Sequence, residues 1–78
     1  MNNPPYRRIA CRLYDELELL ALRGQMVTLV FRSESKSETL QDRITDLFSE
    51  ADAEFLRTET GRVIRLDALE AVGILDFS

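Results

Sequence analysis

Residues 11–24, CRLYDELELLALRG, run straight into residues 25–32, QMVTLVFR, and the change of period between the two decides the fold. In the first stretch Leu13, Leu17, Leu20 and Ala21 recur at helical spacing, and at about 100° per residue they share one arc with Tyr14 at its edge. This spacing predicts a helix from about Arg12 to Arg23, with acids in its early turns where the dipole favours them. Gly24 stands where a left-handed C-cap is wanted, and Arg23 suits the last turn. The second stretch is β-branched and aromatic, and it reads as a mostly buried strand.

Working outward from that junction, short strands follow at close spacing. Residues 33–37 (SESKS) make a polar turn, and residues 38–47 (ETLQDRITDL) alternate imperfectly, with a bulge or bend expected before Phe48. Residues 49–52 (SEAD) turn again. Residues 53–59 and 62–66 flank Thr60-Gly61, a hairpin signal because glycine accepts the positive φ of a tight turn. Residues 69–72 form a last short strand before the tail GILDFS. On the other side, residues 1–5 (MNNPP) read as a disordered tail. Residues 6–10 (YRRIA) either add an edge strand or lie across the core. The expected architecture is mainly β (α+β): one N-terminal helix packed on a small, strongly bent, partly open antiparallel barrel.

Seventy-eight residues make one domain, 1–78, with a thin core, since a chain of this size buries only about 60% of its unfolded surface. One cysteine excludes an internal disulfide and, with no signal-peptide pattern, points to the cytoplasm. Cys11 itself reads as a small buried hydrophobe. No apolar run approaches the ~20 residues of a membrane-spanning helix. The net charge is −4, from fourteen acids against ten bases. Bases are outnumbered and interleaved with acids, which disfavours direct nucleic-acid binding, although Arg7, Arg8 and Arg12 form a local patch. An acidic surface suits a basic partner.

Catalysis finds little support. The chain has no histidine, so neither a Ser-His nor a Cys-His pair can be built, and nothing resembles a zinc site. No cofactor is expected, because the three glycines are too dispersed for a phosphate-cradling loop. What remains is the helix's outer arc, where Asp15, Glu18 and Leu22 project together, with Leu19 to one side. Either the helix packs on two sides, or this face docks a partner, with carboxylates for Arg or Lys beside apolar area.

The pattern Cys11-x-x-Tyr14-Asp15-x-Leu17-Glu18-Leu19 resembles the opening motif of the Rof (YaeO) family, inhibitors of the transcription terminator Rho. The similarity continues through MVTLVF (26–31), Thr45-Asp46-Leu47, Glu54-Phe55-Leu56 and Arg65-Leu66-Asp67, and so covers the chain from Tyr6 to Val72. It implies an Sm-like (SH3-like) barrel with an N-terminal helix, and a bacterial antiterminator, monomeric and non-enzymatic. Its partner would be the N-terminal RNA-binding domain of Rho, with no membrane and no nucleic acid bound directly. Carried over onto matching positions, Tyr14, Asp15 and Glu18 are the expected contacts. Glu16, Leu22 and Arg23 join them from helix geometry alone. Two alternatives stay open: an Sm-like module that binds RNA itself, and an interaction domain for a different protein.

Overall fold

The computed structural model describes residues 7–74. The expected tail at 1–5, Tyr6 and the end of GILDFS lie outside the described residues. A helix, α1 (Cys11–Arg23), is followed by five strands: β1 (Met26–Ser33), β2 (Lys36–Glu50), β3 (Ala53–Thr58), β4 (Val63–Arg65) and β5 (Leu69–Ile74). One 3₁₀ turn, Leu66–Ala68, links β4 to β5. The strands form one antiparallel sheet in the order β4-β3-β2-β1-β5, and the helix packs on it. The fold is therefore the α+β arrangement expected, a small and partly open barrel.

β2 is the strand that bends the sheet. Its first half pairs with β1, from Ser33↔Lys36 to Met26↔Arg43, and its second half pairs with β3, from Ile44↔Thr58 to Glu50↔Ala53. The register shifts between Ile44 and Asp46, so Thr45 is the extra residue of a bulge, three positions ahead of Phe48. A bulge raises local twist, and here it turns a flat ladder into two walls facing one core. β5 returns to pair with the far side of β1, which leaves β4 and β5 as the two edges.

The turns are tighter than the sequence reading drew them. β1 and β2 are joined by Glu34-Ser35 alone, and β2 and β3 by Ala51-Asp52. Ala51 and Asp52 both take positive φ (52° and 63°), the handedness that matches strand twist. Gly61 has φ 95° in the β3–β4 hairpin, as its position predicted.

Leu17, Val27, Leu29, Phe31, Ile44, Leu56, Ile64 and Leu66 form the buried core, with Leu13, Tyr14, Leu20 and Ala21 packed partly against it. The helical arc predicted as the core face is the one that is buried. β1 differs from the mostly buried strand expected: burial alternates, with Val27, Leu29 and Phe31 inward. An open sheet covered on one face by a single helix cannot fully bury both sides of an inner strand such as β1. The helix begins at Cys11, one residue earlier than expected, so Arg12 occupies its first turn and the acids expected in its early turns, Asp15 and Glu16, fall in the second. Cys11 is exposed rather than buried, because it sits on the arc turned away from the core. Residues 7–10 form no strand; Ile9 lies against the core instead.

Candidate functional site

The helix is held at both ends, so whatever its outer arc presents is presented rigidly. At its C-terminus Gly24 adopts φ 63°, and the Gly24 and Gln25 amides donate to the Ala21 and Leu20 carbonyls at 3.1 and 3.2 Å, a left-handed cap. Arg43 on β2 donates from Nε to the Gly24 carbonyl (3.0 Å) and pairs with Glu59 (3.2 Å), which ties the cap to the barrel. Near the N-terminus Arg8 pairs with Glu54 of β3 at 3.2 Å, and the Arg7 amide donates to the Asp67 carboxylate at 2.9 Å. Leu17, fully buried, fixes the helix's rotation about its axis.

Six ion pairs are present among the described residues: Arg8–Glu54, Arg32–Glu70, Arg43–Glu59, Arg57–Asp46, Arg62–Glu38 and Arg65–Asp67. All twelve members lie on the barrel or the segment ahead of the helix. No helix residue takes part. Asp15, Glu16 and Glu18 are exposed and have no cation within ion-pair distance among the described residues.

The six side chains singled out in the sequence do not form one patch. Asp15 and Glu18 share a shallow surface with Leu19 and Leu22, and Leu22 is 84% exposed. Glu18 and Leu22 also border a depression whose far side is the β2 bulge, Thr45 to Leu47. Tyr14 lies half-buried beside Asp15, in a small pocket of about 180 Å³ closed by Arg8, Ile9 and Glu54. Burial, and then the Glu18 and Glu54 carboxylates, push the Tyr14 phenol up, so at neutral pH it is a neutral hydrogen-bond donor. Glu16 and Arg23 stand apart on the other flank of the helix, along a groove facing β5. They do not group with Asp15 and Glu18, because positions one or two residues apart on a helix point to different sides; β5 stands beside the flank that carries Glu16 and Arg23.

Sequence reasoning did not place the β2 bulge at this surface. Asp46 borders the same depression as Glu18, although Arg57 holds its carboxylate at 3.3 Å. The irregular alternation around residues 44–48 was the available signal, since a bulge re-aims the side chains beside it. A second outward feature also went unread. Phe48 and Phe55 are cross-strand partners outside the core cluster, with ring centroids 5.3 Å apart, and the Arg57 guanidinium lies 4.8 Å over Phe48.

Among the described residues no three His, Cys, Asp or Glu side chains are gathered to hold a metal ion, and no helix is long and apolar enough to cross a membrane. No family model matches the chain, and neither a curated protein nor a solved structure does.

Proposed function

We propose that this chain is a non-enzymatic bacterial antiterminator that binds the N-terminal RNA-binding domain of Rho and blocks RNA loading there. One observation carries the reading on this molecule. Asp15 and Glu18 are exposed carboxylates on one face of a helix pinned at both ends, and no cation of the described chain neutralises them. A surface that grips RNA does so with cations and stacking groups. Carboxylates held in fixed positions compete with phosphate for those cations without the ordering cost of a flexible segment. Leu22 and Leu19 lie beside them and supply apolar area to desolvate the contact, while Tyr14 adds a neutral donor at the rim. The resemblance to the Rof family supplies the partner's identity.

The test is competition. Labelled pyrimidine-rich single-stranded RNA bound to purified Rho is titrated with the chain, and RNA release that tracks formation of a chain–Rho complex is the expected result. RNA retention at saturating chain ends the proposal.

A second reading has one observation in its favour, the outward Phe48–Phe55 pair with Arg57 above it, a surface on which bases can stack. It is the weaker one, since Arg57 is bonded to Asp46 and Arg65 to Asp67, which cancels the positive charge a backbone-tracking groove requires. Tight RNA binding by the chain alone, falling steeply with salt, favours this reading over the first.

A further inference from the structure

The groove between α1 and β5 shares only Leu19 with the surface assigned to Rho. It encloses about 440 Å³, and Leu19, Leu20, Val72 and Ile74 line it, with Glu16 and Arg23 also on its wall. Leu19 is 45% exposed and Ile74 63%. Its second wall, β5, is an edge of the sheet, so no further strand of the described chain covers it. The opposite edge is guarded differently: β4 is only three residues long, and a very short edge strand discourages association. β5 is six residues long, and its sole charge, Glu70, is taken up by Ser37 and Arg32.

The order of side chains along this flank of the helix reads the same in both directions if the charges are exchanged: Glu16, Leu19, Leu20, Arg23. The spacings are i, i+3, i+4 and i+7, so the four form one stripe. When two such stripes meet antiparallel across a two-fold axis between Leu19 and Leu20, Glu16 of each faces Arg23 of the other, and the leucines meet at the centre. A two-fold contact must be self-complementary in this sense, each residue meeting its counterpart twice.

We infer that this groove is a self-association surface, on which a second copy of the same chain docks helix against helix in antiparallel orientation, joined by two Glu16–Arg23 pairs around Leu19, Leu20 and Ile74. It leaves Asp15, Glu18 and Leu22 of both copies on the opposite flank, accessible to another partner. A contact made by one helical stripe and Ile74 is weak and concentration-dependent, since stable interfaces bury roughly 800 Å² per partner. This departs from the monomer expected from the family resemblance.

Sedimentation equilibrium of the chain alone, from about 10 µM to about 1 mM, tests the inference with Rho absent, so its outcome is separate from that of the Rho reading. The wild type is expected to move toward twice the chain mass. Glu16→Arg places arginine opposite arginine twice and is expected to weaken the dimer about tenfold or more. The exchange Glu16→Arg with Arg23→Glu restores opposite charges and is expected to return dimerisation to near wild type. Thermal melts establish that each variant is folded, all the substituted positions being exposed. A wild type that stays at one chain mass throughout overturns the inference. So does an exchange variant as weak as Glu16→Arg, which would show that residues 16 and 23 do not face each other. A chain truncated after Ile74 that dimerises where the full chain does not would name residues 75–78 as the groove's occupant, and would overturn it equally.

Discussion

The barrel wall and the outer arc of the helix are both exposed and both rich in charge, yet they treat that charge in opposite ways. On the wall, Glu38, Asp46, Glu54, Glu59, Asp67 and Glu70 each have an arginine within 3.3 Å. On the helix, Asp15, Glu16 and Glu18 have none among the described residues. Of these pairs Arg57–Asp46 joins direct cross-strand partners, already opposite one another, and forms with little ordering cost. The helix had the same option, with i, i+4 partners available, and Arg12–Glu16 is such a spacing, but no pair forms there. Charge that does nothing for the fold is charge available to something else. That contrast is the physical basis for assigning recognition to α1 and stability to the wall beneath it.

The severest test of the division is to loosen the seat of the helix while leaving its charges in place. Leu17→Ala removes a fully buried side chain from the centre of the core, and chemical denaturation is expected to show a loss of about 2–5 kcal/mol. Below about 1 kcal/mol, Leu17 is not what orients α1. The converse change attacks the charge and spares the seat. Asp15→Lys with Glu18→Lys is expected to cost about 2–5 kcal/mol in Rho binding, as for a partner lost from a desolvated charge pair, with folding stability within about 0.5 kcal/mol of wild type, as for exposed positions. Unfolding of that double variant would break the comparison outright, since it would make these carboxylates structural.

A third test concerns the wall's one buried acid. Asp42 is 3% exposed; its carboxylate accepts from the Thr60 hydroxyl (2.5 Å), the Thr60 amide (3.3 Å) and the Arg43 amide (2.7 Å). It joins the β1–β2 ladder to the β3–β4 hairpin. Burial pushes this carboxyl up, but the bonds from Thr60, Arg43 and Thr58 outweigh it and hold it below the usual aspartate range. A carboxyl depressed in the folded state stabilises fully above its unfolded value, near 3.9, and that contribution is lost as pH falls through the lower folded value. Asp42→Ala, which strands those donors, is expected to cost about 1–3 kcal/mol at neutral pH. Its acid-unfolding profile should be flatter than that of the wild type, and a profile of equal steepness would locate the pH sensitivity elsewhere. The smallest effect belongs to the β2–β3 turn. Ala51 carries a Cβ at φ 52°, and Ala51→Gly is expected to raise stability by up to about 1 kcal/mol without touching Rho binding.

Much of this was legible along the chain, because it depends on neighbours in sequence. The apolar period of residues 13–21 located α1 to within a residue, Gly24 and Gly61 marked two positive-φ positions, and the broken alternation after Ile44 announced the bulge. The exposure of Asp15 and Glu18 followed from the same period. The 3₁₀ turn that buries Leu66 left no such trace, nor did the burial of Asp42. That aspartate lies eighteen positions from the threonine that satisfies it, and nothing local distinguishes it from the thirteen other acids.

By itself, then, the amino-acid order determined the kinds of element, their succession, and which arc of the helix is apolar enough to be buried, all of which are set by interactions a few residues long. Only the tertiary structure decided what the remaining arc is for. β5 folds back onto β1 and sets its edge beside the flank of α1 that carries Glu16 and Arg23, making a groove there and leaving Asp15, Glu18 and Leu22 on the open flank. A helical wheel has no knowledge of which side its neighbour stands on; that is set by the pairing of β1 with β5, from Val27↔Ile74 to Phe31↔Leu69, whose register depends on the shape of the whole core.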